Sequence, residues 1–298
     1  MKANHSTEER FLLLGFSDWR SLQPVLLALV LPCYLVTLTS NSPLVLLAVR
    51  DPRLHTPMYY FLCHLALVDA GFITSVVPPL LASLRGPALS LQRRGCKSLA
   101  LGSAECVLLA VMALDPAQGQ GKFCRPLPGA SWLGGLTNSA AQTALLAARP
   151  LCAPLGVDHF ICELPALLKL ACSGGRHATE RQMFAARVLI LLVPSAVILA
   201  SYGAVALGVW GMRSGGGQRK AMGTCGSHLT AVCLFYGSAI YTYLQPTHSY
   251  NQGQGKFVSL FYTVVTPALN PLIYTLSNKV KGAARRLLGS LGRGQAGQ

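Results

Sequence analysis

Charge is what this sequence has least of. Asp, Glu, Lys and Arg make up 12% of its 298 residues, about half of the roughly 25% usual in soluble domains. Acids are scarcest, 10 against 25 basic residues, for a formal net charge of +15. A chain of this length has enough residues for two soluble domains, but this one lacks the polar groups to cover them. Hydrophobic residues reach 52%, and the mean hydropathy is +0.44. Lipid is the solvent such a composition calls for. The surplus of positive charge does not indicate nucleic acid, because the basic residues sit in short clusters between apolar runs without interleaved aromatics. The opening "MKANHSTEER" is polar and the first apolar run is too long for the core of a cleavable signal, so no signal peptide is expected. Ser, His and acidic residues are not arranged for nucleophilic chemistry, and the lone His228 reads as a hydrogen-bonding brace rather than a metal ligand. An enzyme, a metal site and a cofactor are therefore not expected.

What the sequence does have is a succession of apolar runs, each near the roughly 20 residues that cross a bilayer. They fall at 23–49, 57–84, 97–114, 126–148, 184–210, 223–245 and 256–276. The expected fold is an all-α membrane protein, a seven-transmembrane helix bundle with a short amphipathic C-terminal helix. Residues 1–22 would form an N-terminal segment, 23–276 the membrane domain and 277–298 a tail. Pro32, Pro43, Pro78, Pro79, Pro194, Pro267 and Pro271 fall inside these runs, where lipid-embedded helices tolerate proline better than soluble ones do. In the tail, Val280, Ala284, Leu287, Leu288 and Leu291 share one helical face opposite basic residues, a pattern suited to the membrane surface. Lys and Arg divide nearly evenly between the two sides and do not orient the chain. The sequon at Asn4, and Cys152, Cys162 and Cys172 sharing one polar loop, favour an extracellular N-terminus and a cytoplasmic tail. Cys96 opens the third span on the same side.

The stretches "LHTPMYYFL" (54–62), "KAMGTCGSHL" (220–229) and "NPLIY" (270–274) resemble signatures of the odorant (olfactory) receptors, seven-helix G-protein-coupled receptors of the rhodopsin-like class. "VDHFICELPALLKLAC" (157–172) resembles their second outer loop, and "LASYG" (199–203) their fifth helix. The resemblance runs nearly the whole chain. It implies a receptor in the plasma membrane for a small, volatile, mostly apolar odorant. It also implies a heterotrimeric, stimulatory G protein as partner, acting on adenylyl cyclase, and disulfides Cys96–Cys162 and Cys152–Cys172.

Asp69 and Glu105 are acids within the second and third spans, and each matches an acid of the family. With Asn41 and Asn270 on neighbouring helices they would hold a sodium ion, share a proton, or form a purely structural hydrogen-bond knot. Tyr236 matches the aromatic switch of the sixth helix. The residues expected around the ligand are Leu99, Gly102, Ser103 and Cys106 on the third helix, Ala186 and Ile190 on the fifth, Tyr236, Ala239, Ile240 and Tyr243 on the sixth, and Thr263 on the seventh. For any one of them, simple packing against a neighbouring helix is the competing reading. His228 is expected to brace the G-protein face, where Asp115, Pro116 and Tyr274 also fall.

The segment "VMALDPAQGQGKFCRPLPG" (111–129) departs from the resemblance. The family's third helix ends in a motif like "MAYDRYVAIC", whereas this chain keeps Asp115 but has Pro116 for the Arg and Ala117 for the Tyr. Proline here, followed by Gly119 and Gly121, predicts that the helix stops. The distance from Cys96 to Asp115 is also shorter than the family's, and the second inner loop is cut. Coupling is the activity this puts at risk. The alternative is a non-signalling receptor-like protein, retained in the endoplasmic reticulum or dimerising with intact receptors. A transporter is disfavoured by the lack of an internal repeat.

Overall fold

The computed structural model describes residues 10–85, 89–92, 98–118, 126–148, 156–161, 166–167, 170, 172, 176–210, 215–244 and 252–275. Its helices are α1 (Gln23–Arg50), α2 (Pro57–Arg85), α3 (Ser98–Gln118), α4 (Pro126–Ala147), α5 (Arg176–Trp210) and α6 (Gly215–Tyr243). They are followed by α7 (Gln252–Leu260), a π-helical turn (Phe261–Val265) and α8 (Thr266–Thr275), joined without a gap. The described helices thus form seven stretches, one on each apolar run read from the sequence. α5 and α6 begin roughly two turns before the expected runs.

Among the described residues, three helices are long and apolar enough to cross a membrane by length and composition: Arg20–Arg50, Met58–Leu84 and Ala178–Trp210. Their outer faces invert the soluble pattern. Leu199, Leu207 and Trp210 on α5 are 67%, 76% and 82% exposed, an arrangement stable only against an apolar solvent. Hydroxyls in these helices turn inward to their own backbone. Thr37 donates to the Cys33 carbonyl at 2.8 Å, Thr74 to Ala70 at 2.6 Å and Ser195 to Leu191 at 2.6 Å. Each bond meets the demand that polar groups in lipid be satisfied internally.

The prolines act locally. Pro32 and Pro43 lie inside α1, Pro194 inside α5 and Pro271 inside α8. The π turn has a sequence cause. Pro267 has no N–H to offer the carbonyl of Thr263 four residues back. The preceding turn widens, and the Thr266 N–H bonds to the Phe261 carbonyl five residues back. Widening leaves Tyr262, Thr263 and Val264 buried.

Pro116 does not end α3, contrary to the expectation that the helix stops there. The helix continues to Gln118. A proline forfeits one hydrogen bond and crowds the preceding turn, and near a helix end that loss is easily outweighed by packing. Against α3 lie α2, α4 and α5. Its 21 residues correspond to about 31 Å of helix, close to the roughly 30 Å hydrocarbon core.

A small sheet, which the sequence did not announce, closes one end of the bundle. β1 (Arg10–Leu13) pairs antiparallel with β2 (Leu89–Gln92), Arg10 opposite Gln92, and parallel with β3 (Gly156–Val157), Leu12 opposite Gly156. The order is β2-β1-β3. The chain before α1 is thereby tied to the α2–α3 and α4–α5 connections. Beneath the sheet, Phe16 stacks on Phe160 at 5.5 Å and meets Phe257 of α7 at 5.7 Å. Lys256 is buried beside the Phe16 ring, 5.9 Å from its centre, and pairs with Asp158. This end shares a core with Val30, Ile73, Val76, Leu80 and Tyr262. A second core toward the other end gathers Leu44, Phe61, Leu109, Ile198, Phe235 and Tyr236.

The clamp depends on one backbone conformation. Gly15 has φ +56°, its N–H reaches the His159 carbonyl at 3.2 Å, and a Cβ there would lie 3.0 Å from Ser83 Oγ. The left-handed conformation alone costs a branched residue about 1–2 kcal/mol. Gly15→Val is therefore expected to lower the melting temperature of the purified protein. Adding Ser83→Gly, which removes the collision, should recover only part of the loss. An unchanged melting temperature in Gly15→Val would show that the strap over the bundle contributes nothing to stability.

Candidate functional site

Deep between α2, α3 and α8 the chain buries two acids. Asp69 is fully buried, and Asn270 Nδ2 donates to both of its carboxylate oxygens at 3.2 Å. Glu105 is also fully buried, close to Asn270 but with no hydrogen bond of good geometry to either oxygen. It lies within electrostatic reach of Asp69. Two negative charges so close, in so dry a place, would be costly without a proton or a cation between them. Asn41, expected in this cluster, is buried but donates to Thr37 of its own helix at 3.0 Å. α1 therefore frames the cluster without bonding to the acids. Beside it, Tyr236 donates from its hydroxyl to the Cys106 carbonyl, joining α6 to α3.

Nearer the sheet, the residues expected around a ligand divide. Ile190 on α5 and Ile240 and Tyr243 on α6 are partly buried and pack on the edge of the deeper core. Tyr243 also touches the sheet-end core, and its hydroxyl meets that of Tyr262 at 2.6 Å. Ala239 and Cys106 are buried in the deeper core, and Ala186 is partly buried on α5. Two others face elsewhere. Ser103 accepts a hydrogen bond from Asn138 of α4 at 2.8 Å, so its hydroxyl belongs to the α3–α4 interface. Thr263 donates to Ser259 of its own helix at 2.6 Å. Leu99 and Gly102 lie on α3, but their side chains are outside the described residues.

At the end away from the sheet, the Tyr202 hydroxyl on α5 is hydrogen-bonded to His228 Nδ1 on α6. Ser201 donates to the Ala113 carbonyl, joining α5 to α3. Asp115 and Pro116 lie in α3 and Tyr274 in α8, with side chains outside the described residues. Cys172 is disulfide-bonded. Cys96, Cys152, Cys162, Asn4 and the tail from 277 lie outside the described residues. Among the described residues, no group of three or more His, Cys, Asp and Glu could hold a metal ion.

Sequence reasoning passed over several polar residues of this bundle. Gln142 donates to Asn138 at 2.9 Å and extends the α3–α4 network. Lys256 and Asp158 form a pair between α7 and the connection before α5. Arg187 is buried on α5 and bonds to the Tyr243 carbonyl. An Arg and a Lys inside apolar runs were the available signal, since charges at membrane depth are costly and few.

The Asp69–Asn270 bond can be tested as a pair. Asn270→Ala removes the amide that both oxygens of a buried carboxylate share. It should destabilise by about 1–3 kcal/mol, the usual penalty for leaving such a group unsatisfied. Asp69→Ala in the same chain should recover much of the loss, because removing both partners is far cheaper than removing one. Thermal unfolding of the two single variants and the double variant gives the coupling directly, and purely additive effects would contradict it.

The sequence model of the olfactory receptor family matches residues 30–86 and 136–290. The chain is 77% identical to the human "Putative olfactory receptor 2I1", all of both chains being covered. It is 50% identical to human olfactory receptor 2Y1 over 96% of each chain. To human olfactory receptor 2G6 it is 45% identical, over 99% of this chain and 98% of the relative. The alignment with the first spans 315 residues, more than the 298 of this chain, so that relative carries residues absent here. The family match also leaves out 87–135, the region holding the altered end of α3. With the family matched on both sides of that gap and relatives aligned end to end, this chain belongs to the olfactory receptor family.

Proposed function

We propose that this protein is a seven-span odorant receptor whose coupling to the stimulatory G protein, and so to adenylyl cyclase, is weak or lost. One observation carries the reading: in α3, Asp115 is followed by Pro116 and Ala117 where an Arg and a Tyr would stand in the family motif. An Arg at that point offers a long, positively charged side chain to hold the resting packing and then to face the G protein. Proline offers neither charge nor reach. Lys122 and Arg125 follow beyond the end of α3, out of register with the lost position. The gap in the family match across 87–135 and the greater length of the aligned relative support the same reading.

The rest of the receptor architecture is proposed with it. Residues 1–22 lie outside the cell, 23–276 cross the membrane, and 277–298 form the cytoplasmic tail. Cys96–Cys162 and Cys152–Cys172 tie the outer connections, and Asn4 carries a glycan. A small, volatile, mostly apolar ligand sits at the sheet end, between α3, α5, α6 and the π turn, with Ile190, Ile240 and Tyr243 nearest it. The pair Asp69 and Glu105 is neutralised by a shared proton or a sodium ion, and this biases the bundle toward one packing. His228 with Tyr202 braces α6 against α5 on the G-protein side.

The loss of the Arg also favours a second reading. In it the protein does not signal, and is held in the endoplasmic reticulum or pairs with intact receptors. Surface staining of an N-terminal tag on unpermeabilised cells separates the two, with cyclic AMP measured alongside. The tag is expected outside, with no odorant-driven cyclic AMP from the unmodified chain. A response should appear when Pro116→Arg is combined with a restored inner loop. Robust cyclic AMP from the unmodified chain would refute the loss of coupling, and staining only after permeabilisation would favour the retained form.

A further inference from the structure

Among the described residues, two cations are buried near the sheet end, and they are treated differently. Lys256 is 2% exposed and carries its counter-charge, Asp158, in direct contact. Arg187 is 4% exposed; among the described residues no carboxylate makes an ion pair with it, and its guanidinium lies 5.9 Å from the centre of the Phe184 ring. Its Nε donates to the Met183 carbonyl at 3.1 Å and its Nη1 to the Tyr243 carbonyl at 3.2 Å. A guanidinium has five N–H groups, so these two bonds leave most of the fork unused. Glu180, on the same helix, is within electrostatic reach but makes no ion pair with it. Tyr243 is the last residue of α6, and a helix C-terminus supplies about half a negative charge. With the Phe184 ring, that offsets part of the guanidinium charge, and no anion among the described residues closes the remainder.

The surroundings fit an anion better than water. The phenol of Tyr243 is also within electrostatic reach of Arg187, and its hydroxyl is bonded to that of Tyr262 at 2.6 Å. These hydroxyls are donors as well as acceptors. Ile190 and Ile240, one helical turn deeper on α5 and α6, are partly buried apolar neighbours. A planar fork of N–H groups, two phenols and an apolar wall below make up the donor set of a short alkyl carboxylate.

We propose that Arg187 anchors the carboxylate of a small aliphatic acid, with Tyr243 and Tyr262 completing its hydrogen bonds and the alkyl chain lying toward Ile190 and Ile240. This rests on the ligand end being the one proposed above, and it narrows the ligand from mostly apolar volatiles in general to monocarboxylates. Binding needs no G protein, so the loss of coupling does not obscure it.

The test uses the full-length protein in lipid nanodiscs, with equilibrium binding of hexanoate, hexanol and methyl hexanoate at neutral pH. Hexanoate should bind at least about ten-fold tighter than hexanol, the scale of one charge-assisted hydrogen bond. Arg187→Gln should remove that preference while leaving hexanol binding unchanged. A loss caused only by a weakened α5–α6 contact would lower both. If Arg187→Gln does not fold, Tyr243→Phe and Tyr262→Phe keep the packing and remove one hydroxyl each. They should weaken hexanoate several-fold and hexanol less, so that the preference for the acid narrows. Equal binding of hexanoate and hexanol, or a preference that survives these substitutions, overturns the anchor and leaves the ligand site standing. Binding of none of the three overturns both the anchor and the proposed ligand site.

Discussion

The hydrogen bond from Asn270 to both oxygens of Asp69 fixes α8 against α2 at one depth, and much of the bundle takes its register from it. Both groups are buried, so sliding either helix by a turn would leave a carboxylate or an amide buried and bare. Glu105 on α3 sits within electrostatic reach, and Tyr236 locks α6 to the Cys106 carbonyl one residue further on. Helices α2, α3, α6 and α8 are therefore held by a few polar contacts in a core whose apolar contacts alone would permit several registers. Burial is non-directional, and these contacts supply the direction.

Much of the fold was legible because lipid simplifies the rules. An apolar run of about 20 residues has almost no alternative to a helix when water is absent, and each of the seven runs has its described helix. The small sheet was not legible. β3 has two residues and β1 and β2 four each, too short for a period of two to stand out. The continuation of α3 past Pro116 was missed for a different reason. Proline's local preference was read correctly, but packing against three helices decides the outcome, and packing partners are not visible in a single sequence. The polar pair at Asp69 and Asn270 was foreseeable from the cost of acids in lipid, whereas the turning of Ser103 toward Asn138 needed the rotation of α3 about its axis. A helix wheel drawn without its neighbours does not give that rotation.

The two ends of the bundle carry different loads. The sheet end is over-determined: strand pairing, stacked aromatics, an ion pair and a left-handed glycine all hold the N-terminal strap over α2 and α7. At the other end, the described contacts between α3, α5 and α6 are the Ser201–Ala113 bond and the Tyr202–His228 pair, set on apolar packing. Pro116 falls there, in a helix that reaches about the full thickness of the hydrocarbon core. The substitution thus leaves the length of the helix sufficient and removes the charge it would have delivered. On the proposed reading, damage of this kind spares the fold and falls on the communication between the ends.

That separation bears on how the buried cations are understood. A charge placed only for stability is expected to be closed by its partner, as Lys256 is by Asp158, because an unpaired ion in a dry core costs more than packing recovers. Arg187 ties α5 to the terminal carbonyl of α6, and a neutral donor such as Gln could make that bond without the cost of the charge. The guanidinium exceeds what the joint requires. It lies toward the end of the molecule away from the altered α3 terminus, beside the phenols of Tyr243 and Tyr262, which are hydrogen-bonded to each other. Stability accounts for the contacts with Tyr243 and the Phe184 ring, and on the proposed reading the charge left over is met by an anion that comes and goes.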